Sequence, residues 1–192
     1  MTTKFLIYTL ILATTAAAST PFSWEIAGNY NHAFRSIRTH APAPSIDTWG
    51  ADITGLYHLH GHHHLTFRFS YAYGEDAGFR MHNFALLPGY RYMKTINEQW
   101  CIFAGVNAGI GVSMLDYPGM ERHAHALSRR DDMANLVYSA ELGAGYTASP
   151  HVRVIGSIGL NGGTSPFHSA GYEDAREEQF NLGMRLGIHC QF

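Results

Sequence analysis

The stretch Phe180-Asn-Leu-Gly-Met-Arg-Leu-Gly-Ile-His-Cys-Gln-Phe192 places an apolar residue at every second position. The intervening residues are polar or glycine, among them Arg185 and His189. Successive side chains of a β-strand point to opposite faces, so all the apolar side chains fall on one face. The stretch therefore predicts a strand with one apolar face and one polar face.

The same alternation recurs in seven segments upstream, at residues 24–34, 49–59, 65–73, 84–92, 100–112, 136–146 and 152–160. The connections between the segments are alternately long and short, and the long ones are 35–45, 74–81, 115–132 and 162–177. Short turns on one side and long loops on the other are typical of outer-membrane barrels. We predict an all-β fold, an eight-stranded antiparallel up-and-down transmembrane β-barrel that occupies residues 19–192.

The charged residues inside these segments distinguish a membrane barrel from a soluble sandwich. All of them fall on the polar phase. In a soluble sandwich the polar phase is the solvated outer face, and it carries many charges. Between them stand glycine and other small residues, which suit a crowded interior. Four arginines against three carboxylates predict a narrow lumen plugged by ion pairs, because a buried charge without a partner costs several kcal/mol. The lumen charges are Glu25, Asp52, Arg68, Arg91, Glu141, Arg153 and Arg185.

The N-terminus predicts export. Lys4 precedes an apolar run at residues 5–13, and small residues follow, with Ala16 and Ala18 at the −3 and −1 positions of a cleavage site. The run is shorter than the ~20 residues of a spanning helix. We predict a signal peptide at residues 1–18 and periplasmic N- and C-termini, which makes the first long connection external.

Composition narrows the function classes further. The net charge of −2 comes with no lysine- or arginine-rich stripe, so we expect no nucleic-acid partner. The mean hydropathy of −0.13 is uninformative, because alternation cancels the average in a membrane barrel. Cys101 and Cys190 fall on opposite phases of non-adjacent segments, which predicts two unpaired thiols.

With these features the chain resembles the small outer-membrane β-barrel families typified by OmpA and OmpX. The resemblance rests on the signal peptide, Leu87-Pro-Gly-Tyr-Arg-Tyr92, Leu142-Gly-Ala-Gly-Tyr146 and the 180–192 strand. It implies that the last strand is the signal read by the barrel-assembly machinery. It also implies no peptidoglycan-binding domain, because the sequence stops at that strand. The residues of the assembly signal are Leu186, Ile188, Cys190 and Phe192.

Two motifs suggest further chemistry. His58, His60, His62 and His64 are dense enough to hold a transition metal, although a polar turn that happens to be rich in histidine is the favoured interpretation. The stretch 166–171 is loosely similar to the His-x-Ser-Asn motif of lipid A deacylases. His168 and Ser169 are adjacent, however, so the spacing that places both on one face is lost.

The sequence therefore favours an outer-membrane protein of a Gram-negative bacterium with a structural or surface-interaction role carried by its external loops. The alternative is a lipid A-modifying hydrolase. Expected partners are outer-membrane lipids including lipopolysaccharide, the barrel-assembly machinery and an extracellular ligand, and no cofactor is expected.

Overall fold

A computed structural model describes residues 21–37, 46–76, 79–116, 130–164 and 178–191 of the chain. The predicted signal peptide and the terminal Phe192 lie outside these residues. The described residues form eight strands: β1 Phe22–Ile37, β2 Thr48–His60, β3 His63–Asp76, β4 Phe79–Thr95, β5 Trp100–Asp116, β6 Arg130–Ser149, β7 Val152–Thr164 and β8 Glu178–Gln191. Within the same ranges, no helical segment has the length and apolarity needed to cross a membrane.

The strands pair in chain order, and β1 pairs with β8 to close the barrel. All eight pairings are antiparallel, from Phe22↔Tyr57 in the first hairpin to Val152↔Cys190 in the last. The predicted eight-stranded up-and-down barrel is therefore confirmed. Closure leaves no strand edge with unpaired backbone groups among these strands.

Burial in this barrel is inverted relative to a soluble protein. Leu186 and Leu142 expose 69% and 65% of their surface, whereas Glu25 and Arg91 expose 0%. The apolar phase of each strand faces outward, and the polar phase fills the lumen. Cys101 is buried, Cys190 is half-buried, and both thiols are free, as predicted.

Three tight connections and both described chain ends lie at one end of the barrel, which we call the turn end. The connections join β2 to β3, β4 to β5, and β6 to β7. In the first of them Gly61 has a φ of 60°, a conformation that glycine adopts without strain. The opposite end, which carries the connections at 38–47, 77–78, 117–129 and 165–177, is the loop end.

One predicted long loop is wrong. Residues 74–81 are predicted to form a loop, but β3 and β4 stay paired up to Asp76↔Phe79, so only residues 77–78 lie between the strands. Gly74 and the acidic residues after it resemble a turn in composition. Cross-strand pairing extends the hairpin through them, with Glu75 opposite Arg80.

Pro88 interrupts the ladder between β4 and β5. Pairing is present at Leu86↔Ile110 and again at Gly89↔Asn107, with no shift of register between them. The pairings of Leu87 and Pro88 with β5 are absent, because proline has no N–H to donate to the ladder. On its other side Pro88 still lies opposite Phe67 of β3.

Candidate functional site: the ion-pair cluster of the lumen

Seven titratable side chains meet in the middle of the lumen, and we call them the lumen cluster. They come from β1, β2, β3, β4, β6 and β8, and each lies on the inward phase of its strand. Every one is at least nine-tenths buried as a side chain. The members are Glu25, Asp52, Arg68, Arg91, Glu141, Arg185 and His189.

Glu141 is the common acceptor of this cluster. Its Oε1 accepts from Arg68 Nη2 at 2.6 Å and from Arg91 Nη2 at 2.8 Å. Its Oε2 accepts from Arg185 Nη1 at 2.9 Å and from the Ser157 hydroxyl at 3.3 Å. One carboxylate thus links three arginines from three strands.

Glu25 forms the second centre, close to Arg91. Arg91 Nη1 donates to Glu25 Oε1, and Arg185 Nη2 lies 3.8 Å from Oε2. His189 Nδ1 lies 3.2 Å from Glu25 Oε1. Because a carboxylate only accepts, the proton of this hydrogen bond belongs to the imidazole.

Asp52 completes the network toward the loop end. Its Oδ2 accepts from Arg185 Nε at 2.7 Å, and its Oδ1 accepts from Asn29 Nδ2 at 2.8 Å. Arg185 therefore contacts all three carboxylates. Arg91 makes a further contact, with its guanidinium carbon 4.5 Å from the centre of the Phe103 ring.

The formal charges of the cluster cancel when His189 is neutral, because three guanidinium groups face three carboxylates. Ionised groups this deeply buried are tolerated only when each is paired and hydrogen-bonded. Removing one member leaves its partners charged and unpaired in the same place. The cluster is therefore a cooperative unit, and its parts are expected to depend strongly on one another.

Arg153, which is predicted to belong with these charges, lies apart from them. Its Nε donates to the Thr147 hydroxyl at 3.2 Å, and its Nη1 lies 3.5 Å from Met93 Sδ. It shares the inward phase but sits nearer the turn end.

The sequence prediction of the lumen charges omitted His189. The signal that could have identified this residue is its position, four residues after Arg185 on the polar phase of β8.

The cluster lies between two cavities of the lumen. The outer cavity, toward the loop end, has a volume of about 140 Å³, and Asp52, Arg68 and Arg185 are among its lining residues. The inner cavity, toward the turn end, has a volume of about 230 Å³ and is lined by His189 and Arg153 among others. The ion pairs thus stand where the two cavities would otherwise join.

Solved structures of other proteins share this architecture. The crystal structure of Neisserial surface protein A matches with a TM-score of 0.62 and 10% sequence identity, over 92% of this chain and 100% of that one. The N-terminal β-barrel domain of Pseudomonas aeruginosa OprF matches with a TM-score of 0.51 and 16% identity, over 90% and 99% of the two chains. The chain has the fold of the small outer-membrane β-barrels. No protein-family model matches the sequence, and no curated relative does either.

In this outer-membrane barrel fold the four histidines of the turn, His58, His60, His62 and His64, do not form a single cluster. The His58 and His64 rings lie 5.1 Å apart, and His58 Nε2 is 2.9 Å from the Gly61 carbonyl oxygen. His62 packs against Tyr92 instead, and His60 is exposed. Across the described ranges, no three His, Cys, Asp or Glu side chains form a group able to hold a metal ion.

The remaining candidates divide between described and undescribed residues. Leu186 and Ile188 of the predicted assembly signal are exposed on the outer face of β8, and Cys190 lies half-buried beside them. Phe192 lies outside the described residues, as do the candidate catalytic residues His168 and Ser169.

Proposed function

We propose that this protein is an integral outer-membrane barrel whose lumen is closed by the lumen cluster and whose loop end contacts molecules outside the cell. The inverted burial of the strands supports the membrane location. Each strand carries a large exposed apolar side chain at the middle of the barrel, with between 40% and 69% of its surface exposed. This apolar belt includes Ile26, Ile53, Phe67, Leu86, Val106, Leu142, Ile158 and Leu186.

An apolar belt of this kind is incompatible with a barrel dissolved in water. Soluble monomers rarely expose a contiguous apolar patch larger than a few hundred Å². In a bilayer the same surface contacts acyl chains, and a closed barrel satisfies its own backbone groups there. Aromatic side chains near the turn end fit the membrane interface, with the Phe22 and Tyr57 rings 5.3 Å apart and those of Trp100 and Tyr146 5.1 Å apart.

The lumen cluster supports a closed rather than a conducting barrel. Eight strands leave an interior that side chains fill. Here the filling residues are long, charged and joined to each other across the lumen, so a permeating ion would have to displace a network of ion pairs. A structural role therefore suits the lumen better than transport does.

The loop end supports the recognition role. The sequence places its longer inter-strand connections there, and external loops are the variable, ligand-contacting parts of this architecture. Lipopolysaccharide around the barrel and an extracellular ligand at the loops are the partners we propose. During biogenesis the barrel-assembly machinery is a further proposed partner, through the terminal strand.

Fractionation and surface labelling test this proposal in cells of a Gram-negative host. We expect the protein in the outer membrane, with a folded form that migrates faster on gels until it is boiled. An epitope inserted at residues 117–129 should be labelled on intact cells, and one at residues 96–99 only after permeabilisation. A soluble exported protein without heat-modifiable migration would contradict the membrane location, and the opposite labelling pattern would contradict the orientation.

Lipid A analysis tests the role assigned to the loop end. Mass spectrometry of lipid A should show the same acylation pattern in strains with and without the gene. If the wild-type gene changes the acylation pattern of lipid A and a His168→Ala variant does not, the protein would be a hydrolase and the recognition role would be wrong.

A further inference from the structure

The inner cavity, at the turn end, has a lining whose ionisable side chains are all bases. Arg153 and four histidines line it, and among the described residues no aspartate or glutamate does. Serine, threonine and glutamine side chains add further hydrogen-bonding groups. The cavity opens at the turn end, because exposed residues of the connection between β2 and β3 form part of its wall. The histidines are His58, His62, His64 and His189.

Arg153 is the lumen arginine without a carboxylate partner in the described part of the chain. Its Nε donates to the Thr147 hydroxyl at 3.2 Å, and its Nη1 lies 3.5 Å from Met93 Sδ, a weak acceptor. Its Nη2 has no hydrogen-bond partner within the described ranges, and it is not one of the buried side-chain atoms that lack a partner. Because the side chain is half-buried and lines the cavity, this N–H group is accessible to a solute there.

The lumen cluster does not cancel the charge of Arg153. The three carboxylates of the cluster already face its three arginines. Glu25, which contacts His189, does not line the inner cavity, and it is the ion-pair partner of Arg91. The cavity therefore holds one positive charge in excess, and protonation of its histidines adds to that charge. A partly buried charge without a counter-ion is costly, so an anion that pairs with it is bound favourably.

The bases line the cavity from two parts of its wall. His58 and His64 lie opposite each other on β2 and β3, with their rings 5.1 Å apart. His189 lies opposite Arg153 in the pairing of β7 with β8. A tetrahedral oxyanion presents acceptor oxygens in four directions, which suits donors that converge from separate strands, whereas a carboxylate accepts in one plane.

We propose that the inner cavity binds the phosphate or sulfate group of a small solute, with Arg153 as its counter-ion. No carboxylate of the described lining is placed to accept a hydrogen bond from a protonated phosphate, so phosphate and sulfate should bind with similar affinity. The cavity volume is about 230 Å³. Since a cavity of roughly 150 Å³ accommodates benzene, the solute has no more than about nine non-hydrogen atoms. The site requires only the closed barrel, whereas entry from the periplasm rests on the orientation proposed above.

Methionine methyl resonances test the site in the intact barrel. Met93 lines the inner cavity, whereas Met81 lies toward the loop end, and both side chains are buried. The protein with ¹³C-labelled methionine methyl groups is held in maltoside micelles, which contain no phosphate. It is titrated with sodium sulfate and, separately, with sodium phosphate, and sodium chloride at matched ionic strength is the reference. We expect both oxyanions to shift the Met93 signal with saturation and to leave the Met81 signal in place. The Met93 signal is identified by its absence from the Met93→Leu spectrum.

A pair of variants assigns the binding to Arg153. Arg153→Gln should weaken sulfate binding at least about tenfold, the loss expected for one charge-assisted hydrogen bond. Lys94→Gln removes a positive charge near the same end of β4, from an exposed position on the outer phase, and should leave the affinity unchanged. Heat-modifiable migration checks that each variant is folded. Equal weakening by the two substitutions would overturn the site in favour of general attraction to the turn end.

The wild-type spectra decide the proposal even if Arg153→Gln does not fold. A Met93 shift without saturation, the same shift with chloride, or equal shifts of Met93 and Met81 would each overturn it. Phosphatidylglycerol added to the micelles should not move the Met93 signal, because acyl chains cannot follow a headgroup into the polar lumen. A saturable shift with this lipid would assign the cavity to a lipid headgroup and overturn the soluble ligand.

Discussion

Arg91 of β4 and Glu25 of β1 are 66 residues apart in the sequence, yet they form an ion pair at the centre of the lumen with side chains only 1% and 0% exposed. The strands that carry them are not neighbours in the barrel. The pair therefore spans the lumen, and it exists only when the sheet has closed. The charges of this pair neutralise each other only in the closed barrel. Substitutions in the cluster are therefore expected to lower the stability of the folded barrel.

Glu141→Gln should strongly destabilise the folded barrel. The substitution removes the charge that three arginines share, and breaking a buried pair from one side costs about 3–5 kcal/mol. The free energy of unfolding in lipid vesicles, measured by urea titration of tryptophan fluorescence, is the appropriate quantity.

Glu75→Gln is the matched control for this prediction. Glu75 lies 3.5 Å from Arg80 at the loop end, with about half of each side chain exposed. Solvent screens such a pair, so we expect a change of about 1 kcal/mol or less. Equal effects of the two substitutions would show that the lumen cluster is no more important for stability than a surface pair.

Arg185→Ala should make the barrel conduct cations. Arg185 contacts all three carboxylates of the cluster, and it lines the outer cavity. Without it, three carboxylates face two arginines beside an enlarged opening. In planar bilayers we expect a steady cation-selective conductance that the wild-type protein lacks. Arg153→Ala, which changes an arginine outside the cluster, should remain closed, and a wild-type barrel that already conducts at the same level would refute the closed lumen.

The alternation of the sequence predicted the facing of the lumen charges, because a period of two is a local property of a strand. It could not predict which charges would meet. Arg153 and Arg185 share the inward phase, but Arg185 lies opposite Ser157, four residues further from the turn end than Arg153. That difference is about 13 Å along a strand, more than an arginine side chain can bridge.

The pairings of Glu141 also depend on where each partner lies along the barrel axis. Its arginine partners come from β3, β4 and β8, and the stagger of the closed sheet sets the position of each arginine along the barrel axis. The sequence of a single strand does not specify that stagger. The same limit explains the hairpin at residues 74–81, where local composition indicated a loop and the pairing of the two long strands prevailed.

Leu142→Arg should destabilise the barrel because the side chain lies in the apolar belt with 65% of its surface exposed. An arginine on the lipid face near the bilayer midplane costs about 2–4 kcal/mol, and the cost falls to about 0–1 kcal/mol near the interface. Ile96→Arg is the control, since Ile96 is 60% exposed but lies in the connection between β4 and β5. Unfolding in vesicles should separate the two variants, and similar losses would contradict the membrane depth assigned to the belt.

Deletion of Phe192 should slow assembly in cells without preventing folding in vitro. In the sequence Phe192 continues the apolar phase of Leu186 and Ile188, whose side chains are exposed on the outer face of β8. If the assembly machinery binds this face before the barrel closes, loss of the terminal aromatic weakens that contact and leaves the finished barrel intact. Pulse-chase labelling should show unfolded precursor accumulating in the periplasm, while the purified variant refolds into vesicles with the wild-type gel shift. Gln191→Ala, on the opposite phase, should assemble normally. A Phe192 deletion that assembles at the wild-type rate would remove the terminal residue from the proposed signal, and a deletion that fails to refold in vitro would assign it to the stability of the barrel instead.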